Sequence, residues 1–294
     1  MDERTKGILL MLLASLGFGS YSLILKFLSH KFSPITLSFA VYLMSFLFIL
    51  PLFVHAKKVS EFSKVSPKVK LLAISVGFFG IILGWLSFIY AIGFIGPTLS
   101  TTIVQMQPIF VLLLGWIFLK ETINKKELFA TCLILIAILM MGLGNADFNI
   151  TVQGILLSLF SCFSFAICTV LGRYLTKSLS SLTILTVRII SGTIFLIPLL
   201  LFSNVTELFQ ISFNDFLLLF GIVVTGTLVP YLFYYESLKR IKAILGSLIE
   251  VFAPIITAIG SFILFAEVLA LVQYLGILLA LVGVVIITIS KEKS

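Results

Sequence analysis

Two ionisable side chains stand inside long apolar stretches of the chain. Arg188 lies in the run 182–202 and Glu250 in the run 243–265. A charge held in hydrocarbon costs several kcal/mol unless it meets another charge or a polar ligand, so such residues are default candidates for chemistry. Each sits about four positions before the centre of its run, about 6 Å along the helix axis at about 1.5 Å per residue, so the two are expected at matching depth. Two readings stay open. Arg188 and Glu250 can pair as a lock on one conformation, or Arg188 can take a carboxylate and Glu250 an amine of a bound molecule. One pair can do both by exchanging partners.

A polar stripe runs through the same stretch as Glu250. Ser247, Glu250, Pro254, Thr257 and Ser261 recur at spacings of three and four, the period of one helix face, and Thr98, Thr101, Gln105 and Pro108 do the same earlier in the chain. Pro108 and Pro254 each remove an intrahelical hydrogen bond. A freed carbonyl is tolerable where it lines a cavity, and the same prolines also serve as simple packing kinks. Aromatics with polar edges form a third group: Trp85, Tyr90, Tyr231 and Tyr234 can stack on a ring or attract a cation through the ring face. Tyr90, Tyr234 and Tyr235 lie near the ends of apolar runs, where Tyr also forms interfacial belts, so Trp85 and Tyr231 lead this group. Gln105 and Gln107 are the next polar candidates. Gly17, Gly19 and Ser20, with Gly77, Gly80 and Gly84, are small residues that let helices approach closely.

Other chemistry is poorly represented. His30 and His55 fall in a loop or at the edge of an apolar run, and Cys132, Cys162 and Cys168 lie within apolar runs, where a thiol acts as a small hydrophobe. Neither a metal-ligand spacing nor a disulfide framework follows from them. The phosphate-binding pattern G-x-x-x-x-G-K-[ST] is absent, so neither ATP use nor a cofactor is expected.

The elements that must position these residues are membrane helices. Of the 294 residues 60% are hydrophobic and only 11% charged, too few to solvate a globule of this size. Ten stretches approach the roughly 20 apolar residues that a crossing helix needs: 7–25, 35–54, 71–92, 97–119, 128–145, 154–172, 182–202, 216–235, 243–265 and 271–290. The third and fourth are divided at Gly93–Pro97, where a tight turn is expected. The first follows Arg4 and Lys6 like a signal peptide but is longer than an h-region, so it reads as a retained helix. Of the twenty Lys and Arg, seventeen fall on the amino-terminal side of the spans, Lys26 and Lys31 opposite, and Arg188 within one. The positive-inside rule then puts both termini in the cytoplasm of a multi-pass cell-membrane protein. The net charge of +8 is spread over the gaps between apolar runs, which speaks against nucleic acid.

At an offset of 146 residues the halves align without gaps through their fourth and fifth spans. Gln107-Pro108-Ile109 faces Ala253-Pro254-Ile255, and Lys120-Glu121 faces Ala266-Glu267, each proline thirteen residues before its glutamate. Five spans per half is an odd number, so the second copy crosses the membrane in the opposite sense. The expected fold is therefore an all-α integral membrane protein of ten helices in two inverted five-helix repeats, over 7–145 and 150–290. Inverted repeats are an architecture of secondary transporters.

With Gly17-Phe18-Gly19, Tyr90-Ala91 and the two proline–glutamate spacings, the chain resembles the EamA family of the drug/metabolite transporter superfamily. The resemblance implies a carrier with a central cavity lined by the first four helices of each copy, exporting small organic metabolites such as amino acids or their derivatives by alternating access. A common family pattern has a glutamate directly before the second proline; here Ala253 stands there and Glu250 lies three residues earlier. The expected partners are a small-molecule metabolite and the bilayer, with protons if Glu250 carries them and a second copy if the carrier is a homodimer. The rival classes are a membrane enzyme or lipid-processing protein, which would need clustered His, Cys or Asp at the membrane surface, and a non-transporting partner subunit, which would not need the polar stripe.

Overall fold

The computed structural model describes residues 2–29, 31–122, 124–143, 151–265 and 270–289. Among the described residues the regular elements are all helices, without strands. Helix α1 spans Glu3–Ser29, α2 Pro34–His55, the short α3 Lys58–Lys64, and α4 Pro67–Gly77, which passes through a π-helical segment, Phe78–Leu86, into α5, Ser87–Val104. Helix α6 spans Gln107–Leu114 and ends in a second π segment, Gly115–Leu119; α7 spans Lys125–Leu143, α8 Val152–Leu175 and α9 Ser181–Leu196. Helix α10, Phe213–Ile222, passes through a third π segment, Val223–Leu228, into α11, Val229–Leu238; α12 is Ala243–Glu250, α13 Phe252–Phe265 and α14 Leu271–Ile289.

The helix starts follow from local chemistry. The Ser66, Thr151 and Ser180 side chains accept from the N–H three residues on, and Ser212 forms a reciprocal capping box with Asp215. Pro34 and Pro67 occupy first-turn positions, where no N–H is needed.

Among the described residues, eight stretches are long and apolar enough to cross a bilayer: Glu3–Leu25, Pro34–His55, Pro67–Ile95, Ser100–Leu119, Val152–Leu175, Ser181–Phe202, Phe213–Leu238 and Ala243–Leu264. The expected fifth span, α7, carries Lys125, Lys126 and Glu127 in its first turn, and the tenth is a shorter apolar helix, Leu271–Ile286. The turn expected at Gly93–Pro97 does not interrupt helical bonding, which runs through α5 to Val104; a lone missing proline N–H is tolerated inside a helix when neighbours compensate. The interruption falls instead at Gln105–Met106, just before Pro108.

The copies exchange like for like in their packing. Helix α1 packs on α11 and α13, as α8 packs on α5 and α6; α2 packs on α9, and α7 on α14. The buried core runs through Met11, Ile49, Ile81, Val111, Ile134, Leu185 and Ile189, while Leu47, Trp116, Phe118 and Ile263 point outward and are more than half exposed. An apolar exterior of this kind is solvated by lipid. His30, Glu267, Lys291 and Lys293, and the side chains of Lys26 and Thr98, lie outside the described residues.

Candidate functional site

The centre is built around Arg188. Arg188, on α9, is 4% exposed. Its guanidinium carbon lies 3.7 Å from the centre of the Tyr231 ring, and its Nη2 donates to the Tyr231 hydroxyl at 2.8 Å. A desolvated cation over a ring face is worth about 2 kcal/mol. Gly80 makes the room: a Cβ there would lie 3.2 Å from the Cys168 Sγ and 3.3 Å from Nη2. The Nε of Arg188 is buried and has no acceptor among the described residues.

Aromatic rings wall this centre. Phe18 meets Tyr231 edge-on at 4.9 Å, Tyr234 lies 5.9 Å from Tyr231, and Tyr21 lies 6.2 Å from Trp85, whose Nε1 donates to the Ser38 hydroxyl at 2.7 Å. Below the rings, Thr169 ties three helices: its hydroxyl accepts from the Gln107 amide and the Tyr234 hydroxyl, each at 2.8 Å, and donates to the Phe165 carbonyl at 3.1 Å.

Glu250 is the last residue of α12 and is half-buried. Pro254 has no N–H to return to the Glu250 carbonyl, so the helix unwinds at Val251 and restarts at Phe252. The same break occurs at Gln105–Met106, one helical turn before Pro108. The Glu250 carboxylate has no hydrogen bond or ion pair among the described residues; it feels the charge of Arg188, and its own field reaches Tyr21, Tyr231 and Tyr234. The centre thus holds a buried cation with a spare donor and a carboxylate with spare acceptors, separated by rings. Its chemistry offers a donor to an acceptor group and acceptors to a donor group.

The family model for EamA-like transporters matches residues 5–143 and 152–289. The chain belongs to the EamA-like transporter family. It is similar over 99% of both chains, at 25% identity, to a protein of Fusobacterium nucleatum named riboflavin transporter ImpX. At 22% identity it is similar to an uncharacterized transporter of Methanothermobacter thermautotrophicus, over 97% of this chain and 87% of that one. A solved crystal structure of 13% identity superposes with a TM-score of 0.81 over 96% of each chain, which shows that the fold is shared.

In this family member Arg188, Tyr231 and Tyr234 meet at one centre, with Trp85 joined through Tyr21 and Glu250 within electrostatic range. Arg188 and Glu250 are not in ion-pair contact: the guanidinium bonds Tyr231, whose hydroxyl is nearer. The remaining candidates stand apart. Tyr90 is 50% exposed on α5, and the Ser247 hydroxyl is buried and turns back to the Ile244 carbonyl at 2.9 Å. Gln105 caps α5 with its backbone, one turn after Thr101, whose carbonyl it bonds. Thr257 bonds Gly19 and Ala253 carbonyls at 3.1 and 3.2 Å, so the stripe expected from Ser247 to Ser261 is split between a broken helix and a helix–helix contact. Both prolines sit at the helix breaks, where Pro108 is buried.

Sequence reasoning passed over Phe18, Tyr21 and Thr169 as site residues. The glycines either side of Phe18 were a usable signal, since a Cβ on Gly17 would meet Pro230 at 2.3 Å and one on Gly19 the Ala253 carbonyl at 2.6 Å. Thr169 gave none, because a membrane-helix hydroxyl ordinarily bonds the carbonyl four residues back, as Thr169 also does.

Proposed function

We propose that the protein is an alternating-access carrier of small amphoteric metabolites bearing a planar ring, built from ten membrane helices in two inverted repeats over 7–145 and 150–290. The observation that carries this reading is the centre itself: an Arg188 Nε with no acceptor and a Glu250 carboxylate with no donor, both walled by aromatic side chains. A carboxylate or ring carbonyl satisfies Arg188, an amine or ring N–H satisfies Glu250, and the rings stack on what lies between. Amino acids with aromatic side chains and their derivatives meet this description. A flavin ring does too, and one relative is named a riboflavin transporter. The like-for-like packing of the two copies supports the inverted arrangement, and the Lys and Arg distribution supports cytoplasmic termini in the cell membrane. Export is the direction favoured by the resemblance. Glu250 is the residue that would carry a coupling proton.

The test is flux into liposomes of purified protein with radiolabelled tryptophan and riboflavin. Counterflow of at least one, lost in Arg188→Gln and reduced in Glu250→Gln while both variants remain folded, is the expected result. Unaltered flux in both variants would place the site elsewhere.

A further inference from the structure

At the Lys- and Arg-rich end the two copies are joined through Glu121. Lys120 adopts a left-handed backbone, φ 57°, and turns the chain out of the π segment so that Glu121 reaches across to the second copy. The two carboxylate oxygens of Glu121 accept from the Ala243 N–H at 2.9 and 3.2 Å, and one of them from the Arg173 Nε at 3.4 Å. Arg173 continues to the Leu238 carbonyl, closing the last turn of α11 onto the end of α8. Beside it the Lys242 ammonium donates to the Thr122 carbonyl at 2.9 Å and lies 3.6 Å from the buried Glu127 carboxylate at the start of α7. One carboxylate therefore bridges the two copies, with a neighbouring lysine doing the same.

Ala243 and Glu250 are the two ends of one element. Helix α12 is an eight-residue rod, about 12 Å long, cut from α13 by Pro254, with Glu121 on its first N–H and the candidate substrate carboxylate as its last residue. A load on Glu250 and the hold on Ala243 act on the same rigid piece. At the opposite end Lys31 pairs with Asp215 and the Ser33 N–H donates to Glu207, and the sequence there does not repeat the donors that meet Glu121. In the register that aligns the fourth helices, Glu267 corresponds to Glu121, but Ala243 corresponds to Pro97, which has no N–H, and Lys242 to Gly96. Ser33 aligned with Ser180 leaves Lys26 opposite Arg173, so a lysine stands where the basic end has an arginine.

We infer that Glu121 and Arg173 are gating residues: together they latch the N-terminus of α12 and hold the cytoplasmic entrance shut, and release of this latch lets α12 carry Glu250 toward the cytoplasm. The inference rests on the alternating-access reading and on the orientation given above. By linkage, a ligand that favours the released position of α12 must be bound more tightly when the latch is cut.

The latch is testable without a substrate. In a variant with Cys132, Cys162 and Cys168 replaced by alanine, Ser247→Cys on α12 and, separately, its register mate Thr101→Cys report the two halves through labelling with a membrane-impermeant maleimide, in inside-out and right-side-out vesicles. Glu121→Ala and Arg173→Ala are each expected to raise the cytoplasmic labelling rate of Ser247→Cys by about tenfold, the factor that loss of one charge-assisted hydrogen bond supplies, and to lower labelling of Thr101→Cys from outside. Glu121→Gln, which keeps an acceptor for Ala243, is expected to give a smaller rise and carries the test if Glu121→Ala does not fold. Rates within twofold of the parent in folded Glu121→Gln and Arg173→Ala protein would overturn the latch. A rise seen only with maleimide applied to the outer face would keep the latch and overturn the orientation instead.

Discussion

At the scale of residues, the centre combines one cation and one carboxylate whose hydrogen-bonding capacity is not used up within the protein. Tyr231 gives the guanidinium both a ring face and a hydroxyl. Tyr231→Phe keeps the ring and removes the hydroxyl, leaving a second buried donor unpaired, and is expected to destabilise the purified protein by about 1.5–3 kcal/mol, read as a lowered thermal midpoint in detergent. Arg188→Lys keeps the charge but loses the planar fork and the stack, so it is expected to fold and to lose at least about tenfold in flux of whichever probe the parent carries. At Glu121, burial raises the pKa of the carboxyl from its ordinary value, against the pull of the Ala243 N–H and the Arg173 and Lys242 charges. Arg188 and Glu250 were legible in the sequence because a charge in an apolar run is anomalous. Thr169 owes its role to neighbours on other helices, Gln107 and Tyr234.

The elements show which features a one-dimensional pattern contains. The prolines were legible, and their effect is local: each breaks its helix within one turn upstream, at Gln105–Met106 and at Val251. Pro254→Ala restores the missing N–H and is expected to join α12 to α13. The variant should match or exceed the parent in thermal midpoint yet lose flux, because Glu250 would then be fixed at the middle of a continuous helix rather than at the end of a movable rod. Loss of both stability and flux would mean that the kink is a packing feature. The π segments had no comparable signature. Phe78–Leu86 and Val223–Leu228 overlap when the copies are aligned at the same offset that matches the prolines, and that offset places Trp85 on Tyr231. A π turn adds a residue to the helical circuit without changing the hydrophobic pattern, so period-counting cannot see it. The helical continuity through Gly93–Pro97 was missed for a related reason: Gly and Pro mark where a helix can break, and tertiary packing decides whether it does.

At the scale of the whole molecule, the membrane supplies what a soluble fold finds in its core. The outward faces need only be apolar, so the sequence constrains them weakly, while the alternation of Lys and Arg between apolar runs constrains topology more strongly. The repeat, read from a proline–glutamate spacing, is matched by the like-for-like packing of α1 on α11 and α13 with α8 on α5 and α6. The sequence could not say which donors meet Glu121, because the Ala243 N–H and the Arg173 Nε come from elements far along the chain. The topology that underlies both the repeat and the gate has a direct test. In the cysteine-free background, Lys64→Cys at the end of α3 is solvent-accessible, and a position at the start of α1 such as Glu3→Cys lies on the same side if the charge count sets orientation. Both are expected to label in inside-out vesicles and to stay unlabelled in intact cells, whereas Phe209→Cys, which precedes α10 and is 87% exposed, should label from outside. Labelling of Lys64→Cys and Phe209→Cys from the same face would contradict an odd number of crossings between them, and the inverted relation of the copies would go with it.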